Sequence, residues 1–232
     1  MVAAPESEVV TVADTQSFYG RWARAYDWFV RMLPGIDGLR SAATDALSLS
    51  PGDTAVDLGC GTGANLKHLR DRVGPTGTVV GVDLTAGMLA RAESRVERAG
   101  WQNVHLVRGD AGRPPVADVD GILGSFVVGL LSDPEAAVQR WLDCLVDGGR
   151  VAVLEAGRSD HRVGSLLNPA FDVFVDAGSP SGGRDQPGTE LDARIEATRT
   201  TLAEHATLTR DERRTAGFVH LVAAQRRGVS AE

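Results

Sequence analysis

From residue 54 onward, short apolar runs and amphipathic stretches take turns along the chain. Residues 54–58 make an apolar run of strand length, and residues 64–73 carry apolar positions at helical spacing. Gly74-Pro75-Thr76-Gly77 is a turn, and residues 78–82 predict a second strand. Thr85 stands where it caps a helix that runs to about Ala99 and stops at Gly100. Residues 104–107 and the stretch around 121–123 predict strands three and four. Asp133 followed by Pro134 marks a further helix start, and this helix is expected to reach about Val146. Asp147-Gly148-Gly149 then turns into a fifth strand over 150–154. Such alternation predicts a parallel sheet with right-handed crossovers, the doubly wound α/β class.

On either side of this core the periodicity changes. Residues 1–16 are small, polar and acidic, as in a flexible tail. Phe18, Trp22 and Tyr26 follow each other at i, i+4, and Phe29 at i+3 from Tyr26, which predicts one or two amphipathic helices. Another helix is expected over 38–47, ended by Ser50-Pro51-Gly52. Beyond the fifth strand, residues 163–177 read as helical but are interrupted by Pro169. Residues 178–188 are rich in Gly, Ser and Pro and read as a mobile loop, and 191–204 as a helix. Residues 206–213 alternate polar and apolar, Thr215-Ala216-Gly217 turns, and 218–224 are apolar, which together predict a terminal hairpin.

Composition narrows the functional classes. The 232 residues are 43% hydrophobic and 24% charged, which suits one globular α/β domain. The net charge of −7 lacks the basic face of a nucleic-acid binder, and the one arginine block, 210–214, is interrupted by Asp211 and Glu212. Cys60 and Cys144 form no CxxC pair, so neither a metal site nor a disulfide framework is expected. No apolar run approaches the roughly 18 residues of a membrane span, and no signal peptide is read at the N-terminus. A cytoplasmic location is the expectation.

Three motifs carry chemistry. In Val56-Asp57-Leu58-Gly59-Cys60-Gly61-Thr62-Gly63 a glycine loop joins strand to helix, so backbone can approach a ligand without Cβ clashes. Asp57 just before it repels a pyrophosphate but suits an ammonium or sulfonium charge. Asp83 ends the second strand 20 residues after Gly63, where a carboxylate accepts from the two ribose hydroxyls of an adenosine; its plainer role is an acid at a helix N-terminus. Gly109-Asp110 follows the third strand, and Asp110 there can accept from an adenine amino group.

These motifs, with the Val146-Asp147-Gly148-Gly149-Arg150 turn, resemble the class I S-adenosylmethionine-dependent methyltransferase family. The nearest subgroup is that of ubiquinone/menaquinone C-methyltransferases and many small-molecule methyltransferases, whose N-terminal "Tyr-Asp" segment resembles residues 18–27. The similarity covers residues 17–155 and the terminal hairpin. It implies a Rossmann-like, mostly parallel seven-stranded sheet with an antiparallel hairpin. A tail (1–16) then precedes a single domain (17–232), in which 17–50 form a lid or cap and 156–205 a substrate-recognition insertion. It also implies S-adenosylmethionine as methyl donor, S-adenosylhomocysteine as product, and a small-molecule acceptor methylated on carbon, oxygen or nitrogen. Gly59, Gly61 and Gly63, with Cys60 between them, shape the loop under the donor's methionine part, with Asp57 beneath. Asp83 binds the ribose, Leu84 packs on the adenine, and Asp110 with the Ala111 N–H meets the adenine edge. Ser125 and Phe126 line the sulfonium side, and Tyr19 and Tyr26 belong to the lid.

No catalytic base is assigned. His161, Glu155 and Tyr26 are candidates if the acceptor atom must lose a proton. His161 is otherwise a solvent-exposed loop histidine, Glu155 a structural strand-end acid, and Cys60 a small packing residue. Two rival readings remain at this point. Gly59-x-Gly61-x-x-Ala64 formally fits the dinucleotide fingerprint of an NAD-dependent oxidoreductase. A catalytically inactive cofactor-binding regulatory module would keep the same motifs. A homodimer is compatible with the sequence, which carries no specific signal for one.

Overall fold

A computed structural model describes residues 35–178 and 187–228. The expectations for residues 1–34, with Tyr19 and Tyr26, and for most of the segment 178–188 lie outside these residues. The described elements run α1 (Ile36–Ala46), β1 (Thr54–Leu58), α2 (Leu66–Val73), β2 (Thr78–Asp83), α3 (Ala86–Ala99), β3 (Val104–Arg108) and β4 (Val119–Ser125). A 3-10 turn (Val128–Leu130), α4 (Pro134–Asp143), β5 (Leu145–Ala156), a second 3-10 turn (Gly164–Leu167) and α5 (Asn168–Gly178) follow. The last described elements are α6 (Pro187–His205), β6 (Ala206–Arg214), a short 3-10 turn (Thr215–Gly217) and β7 (Val219–Arg226).

The seven strands form one sheet in the order β3-β2-β1-β4-β5-β7-β6. β3, β2, β1, β4 and β5 are parallel, while β7 pairs antiparallel with both β5 and β6. This is the doubly wound sheet with a terminal hairpin that the periodicity predicts. The central strands are apolar on both faces because helices cover both. One apolar layer joins Ala55, Leu123 and Leu154 to Leu39 and Ala43 of α1, Leu66 and Leu69 of α2, and Ala92 of α3. The other joins Val56, Leu58, Ile122 and Val153 to Val138 and Trp141 of α4 and Leu202 of α6. Trp141 is fully buried, and its indole N–H donates to the Ala111 carbonyl at 2.7 Å.

Several boundaries differ from expectation for identifiable reasons. The helix from Pro134 ends at Asp143, short of Val146, because Leu145 is already buried in the sheet as the partner of Val119. The Asp147-Gly148-Gly149 turn therefore sits inside β5 as a register shift, with Gly148 at φ 79. Thr85 stands at the N-cap of α3 in extended conformation, but its side chain makes no capping bond. Asp83 takes that part, its Oδ1 accepting from Thr85 N at 2.8 Å. Asp133 does cap α4, accepting from Ala136 N at 3.0 Å. α2 starts two residues later than read, at Leu66, and leaves Asn65 at its N-cap. The interruption at Pro169 is real: a 3-10 turn precedes it and α5 begins one residue before.

Candidate functional site

The row of strand ends

Parallel pairing brings the ends of β3, β2, β1 and β4 into one row along the carboxyl edge of the sheet. At about 4.8 Å per strand the row spans roughly 14 Å. Asp110, Asp83, the 59–63 loop and Ser125 therefore become neighbours although the chain separates them by tens of residues. All three loop glycines take positive φ, at 69, 55 and 76 for Gly59, Gly61 and Gly63. A Cβ on Gly59 would lie 2.6 Å from Val127 Cγ2, so the loop needs glycine there to pack onto the segment after β4. Gly61, at φ 55, has nothing within 4 Å of the position its Cβ would take, so the loop is open there. Gly63 N donates to Cys60 O at 2.9 Å and closes the turn.

Asp83 is tied into this loop: Oδ2 accepts from Gly61 N at 2.8 Å, while Oδ1 holds Thr85 N. Each oxygen has spare acceptor capacity. Leu84 beside it is 47% exposed, an unusual setting for leucine unless something packs on it. Asp110 is exposed and accepts from Gly112 N through Oδ1 at 2.8 Å; Ala111 is buried. Cys60 is buried, its Sγ 3.0 Å from where a Gly81 Cβ would stand. Burial, reinforced by Asp57 and Asp83, pushes its thiol far up and keeps it neutral.

Asp57 is fully buried. Burial pushes its carboxyl up to about 7, against the pull of the Asn65 hydrogen bond and the Arg40 charge and with a further push from Asp83. Its partner is Asn65, which the sequence reading missed. Asn65 Nδ2 donates to Asp57 Oδ1 at 3.0 Å and to Ser125 Oγ at 2.7 Å, bridging β1 and β4. An asparagine at a helix start ordinarily reads as a cap, and nothing local shows that this one turns into the sheet. Phe126, next to Ser125, is buried at φ 55, a rare conformation for an aromatic residue, and its N–H donates to Leu154 O at 2.7 Å.

Of the candidate bases, Tyr26 lies outside the described residues, and Glu155 and His161 follow the row on its β5 side. Glu155 on β5 is 2% exposed, and its Oε1 accepts from both Val127 N and Val128 N at 2.6 Å. Burial pushes it up to about 8 against those two bonds. His161 is exposed beside the β6–β7 turn, its Nδ1 accepting from Val163 N at 3.4 Å. A second group there was not foreseen. His220 on β7 pairs with Glu155 in register, its Nε2 is buried without a partner, and burial lowers its pKa. Asp192 of α6, raised by burial, accepts from Arg158 N at 2.9 Å close by. Hairpin alternation would have placed His220; only tertiary packing brings Asp192. Among the described residues no group of His, Cys, Asp and Glu is arranged to hold a metal ion. No described helix is long and apolar enough to cross a membrane.

The row fits a nucleoside bearing a cationic tail. Gly61 leaves space, Leu84 offers an apolar surface, Asp83 retains acceptor positions, and the carboxyls of Asp83 and Asp110 set a negative potential that suits a cation. The buried Asn65 Oδ1 lacks a hydrogen-bond partner.

Comparison with known proteins

Residues 55–149 match a methyltransferase domain family. The chain is 37% identical over 103 residues to aklanonic acid methyltransferase of Streptomyces sp. strain C5, covering 44% of this chain and 47% of that protein. It is 34% identical over 148 residues to 2-phytyl-1,4-naphtoquinone methyltransferase of Thermosynechococcus vestitus, covering 62% of this chain and 65% of that one. The chain thus spans only part of each relative's length. Its fold is that of a SAM-dependent methyltransferase from Aquifex aeolicus, with TM-score 0.62 at 19% identity over 84% of this chain and 94% of that one. With the glycine loop, the acidic strand ends and the 3-2-1-4-5-7-6 sheet already in place, these matches mean that residues 55–149 carry a methyltransferase domain and that the chain has the fold of S-adenosylmethionine-dependent methyltransferases.

Proposed function

We propose that this protein transfers a methyl group from S-adenosylmethionine to a small-molecule acceptor. The observation that carries the reading is the Asp83 carboxylate, which ties the glycine loop to β2 through Gly61 N and still has acceptor positions for a ribose diol. In this reading Gly59, Gly61 and Gly63 hold the loop under the methionine part. Leu84 covers the adenine, and Asp110 with the Ala111 N–H meets its edge. Ser125 and Phe126 border the sulfonium. The donor supplies a methyl group already activated by its positive sulfur. The protein's part is then to align the acceptor and to exclude water. Glu155, committed to two backbone N–H groups, acts in this reading as a brace and not as a base. The relatives named as methyltransferases of aklanonic acid and 2-phytyl-1,4-naphtoquinone support a small-molecule acceptor over a nucleic acid.

Calorimetric titration of the purified protein with S-adenosylmethionine, S-adenosylhomocysteine and NAD tests this. Binding of the first two, weakened about 100-fold by Asp83→Ala, is the expected result; two lost charge-assisted hydrogen bonds are worth about that much. Binding of NAD alone would overturn it.

A further inference from the structure

The start of α6 joins two loops of the carboxyl edge. Toward the segment after β4, Leu191 Cδ1 lies 2.6 Å from where a Gly129 Cβ would stand, and Arg194 Nη1 donates to Leu131 O. Toward the loop after β5, Asp192 Oδ1 accepts from Arg158 N at 2.9 Å, and Thr189 Oγ1 accepts from Arg158 Nη1 at 3.0 Å. Less than two turns of helix therefore hold both loops.

His220 sits against this clip. It stands on β7 between Glu155 of β5 and Arg213 of β6. Its Nε2 and Asp192 Oδ1 both border the space that a Gly157 Cβ would fill, at 3.3 and 2.8 Å from it. Nε2 is buried and has no hydrogen-bond partner among the described residues. An unprotonated ring nitrogen is only an unmatched acceptor. A protonated one is a charged donor, and burying it unpaired costs far more. The acceptor placed beside it is Asp192 Oδ1, which holds Arg158 N. A protonated Nε2 must either pull Asp192 across or leave its place, and both disturb the clip.

The charges facing the ring are Asp192 on α6, Arg213 on β6, and Asp160 and Arg158 on the loop, with Glu155 opposite on β5 and the exposed His161 beyond. Arg213 is paired with Asp160 at 3.3 Å. Burial first, and then Arg213, lowers the pKa of His220 against the pull of Asp192, Asp160 and the Arg158 backbone. The neutral ring's contribution is thus full above the ordinary histidine range and is lost as pH falls through the lower folded value. Asp192, raised by burial, shifts the opposite way and favours the fold as pH falls, so loosening in acid has to come from His220.

We propose that His220 is a proton-operated release for the start of α6: a proton on Nε2 parts Asp192 from the Arg158 amide and frees the loop after β5. The release does not depend on which ligand the row of strand ends binds.

Hydrogen exchange of the full chain followed by NMR, corrected for the pH dependence of intrinsic exchange, tests it. Between about pH 7.5 and about pH 5.5 the protection of the Arg158 amide is expected to fall about 3- to 10-fold. His220→Phe fills the same space without a titratable nitrogen, and its protection should stay within about twofold over that range. Asp57, Glu155 and Asp192, all raised by burial, are intact in that variant. A fall that persists there belongs to them and overturns the proposal. Asp192→Asn keeps an acceptor for Arg158 N but cannot titrate, and it serves as the working variant should His220→Phe fail to fold. The fall should persist in Asp192→Asn; its disappearance would make Asp192 the sensor and overturn the proposal. Protection of Arg158 that is independent of pH in the wild type would overturn it outright.

Discussion

Asp83 and Glu155 are both carboxylates at the carboxyl end of a strand in the same sheet, and the fold uses them in opposite ways. Asp83 ends β2, is half-buried and borders the open face at Gly61. Glu155 lies near the end of β5, is 2% exposed, and points to the backbone of the segment after β4. One acid thus stays available to a ligand while the other holds together the wall behind it. Strand-end position alone does not make an acid functional; what stands opposite it does. The same contrast divides the edge as a whole. The β3–β4 stretch presents acceptors and space, whereas the β5–β7 stretch is filled by Glu155, His220, Asp192 and the loop at Gly157, where an added Cβ would come within 2.8 Å of Asp192 Oδ1.

Breaking the brace tests this contrast most strongly. Glu155→Ala leaves two buried N–H groups without an acceptor and is expected to cost about 2–5 kcal/mol of stability in urea unfolding. A loss under about 1 kcal/mol would mean that the wall stands without it. Glu155→Gln keeps an acceptor and separates hydrogen bonding from charge. Because burial raises the folded pKa from 4.5 to about 8, the unfolded chain gives up this proton first as pH rises. The contribution of Glu155 to stability is thus full below about pH 4.5 and is lost as pH climbs toward 8. The glutamine variant should show a flatter stability profile across that window.

The glycine loop sharpens the contrast between packing and ligand space. Gly63→Ala places a Cβ 2.6 Å from Leu66 Cδ1 and 3.2 Å from Ala92 Cβ at φ 76, and is expected to lower stability by about 1–3 kcal/mol. Gly61→Ala meets no atom within 4 Å, so its cost to the fold is the left-handed backbone alone, about 1–2 kcal/mol. Its signature is a roughly tenfold weaker affinity for S-adenosylhomocysteine, equivalent to about 1.4 kcal/mol. Equal binding by wild type and Gly61→Ala would show that the open face is not the ligand face.

Leu84→Ala removes an exposed side chain, so stability should change by less than about 0.5 kcal/mol. Affinity for adenosine-bearing ligands, including 5′-methylthioadenosine, should fall a few-fold through lost apolar contact. The smallest effect is expected at His161. It is exposed and lies by the β6–β7 turn, so His161→Gln should leave turnover within about twofold. A large loss there would move the acceptor site to the far end of the edge.

The linear sequence was sufficient wherever the signal is local. Short apolar runs marked the central strands, alternation the first hairpin strand and period-3.6 patterning the helices, since each such pattern is visible in a short window. Asp133-Pro134 located α4, and the glycines located the loop, because backbone conformation restricts residue choice at those points. Asp57, Asp83 and Asp110 stood out because each follows an apolar run at a strand end, and parallel pairing then had to line them up. Relationships between distant residues had no local mark. Nothing near Asn65 shows that its amide leaves the helix start to join Asp57 and Ser125, a hydroxyl 60 positions away. Nor does anything near Glu155 show that it reaches back to Val127 and Val128. The end of α4 was misplaced for the same reason, since the pairing of Leu145 with Val119 overrides a helical pattern that ran on. Local conformational preference is written residue by residue, whereas the partner of a buried polar group is chosen by packing across the sheet, where leaving it unmatched costs more than any local preference returns.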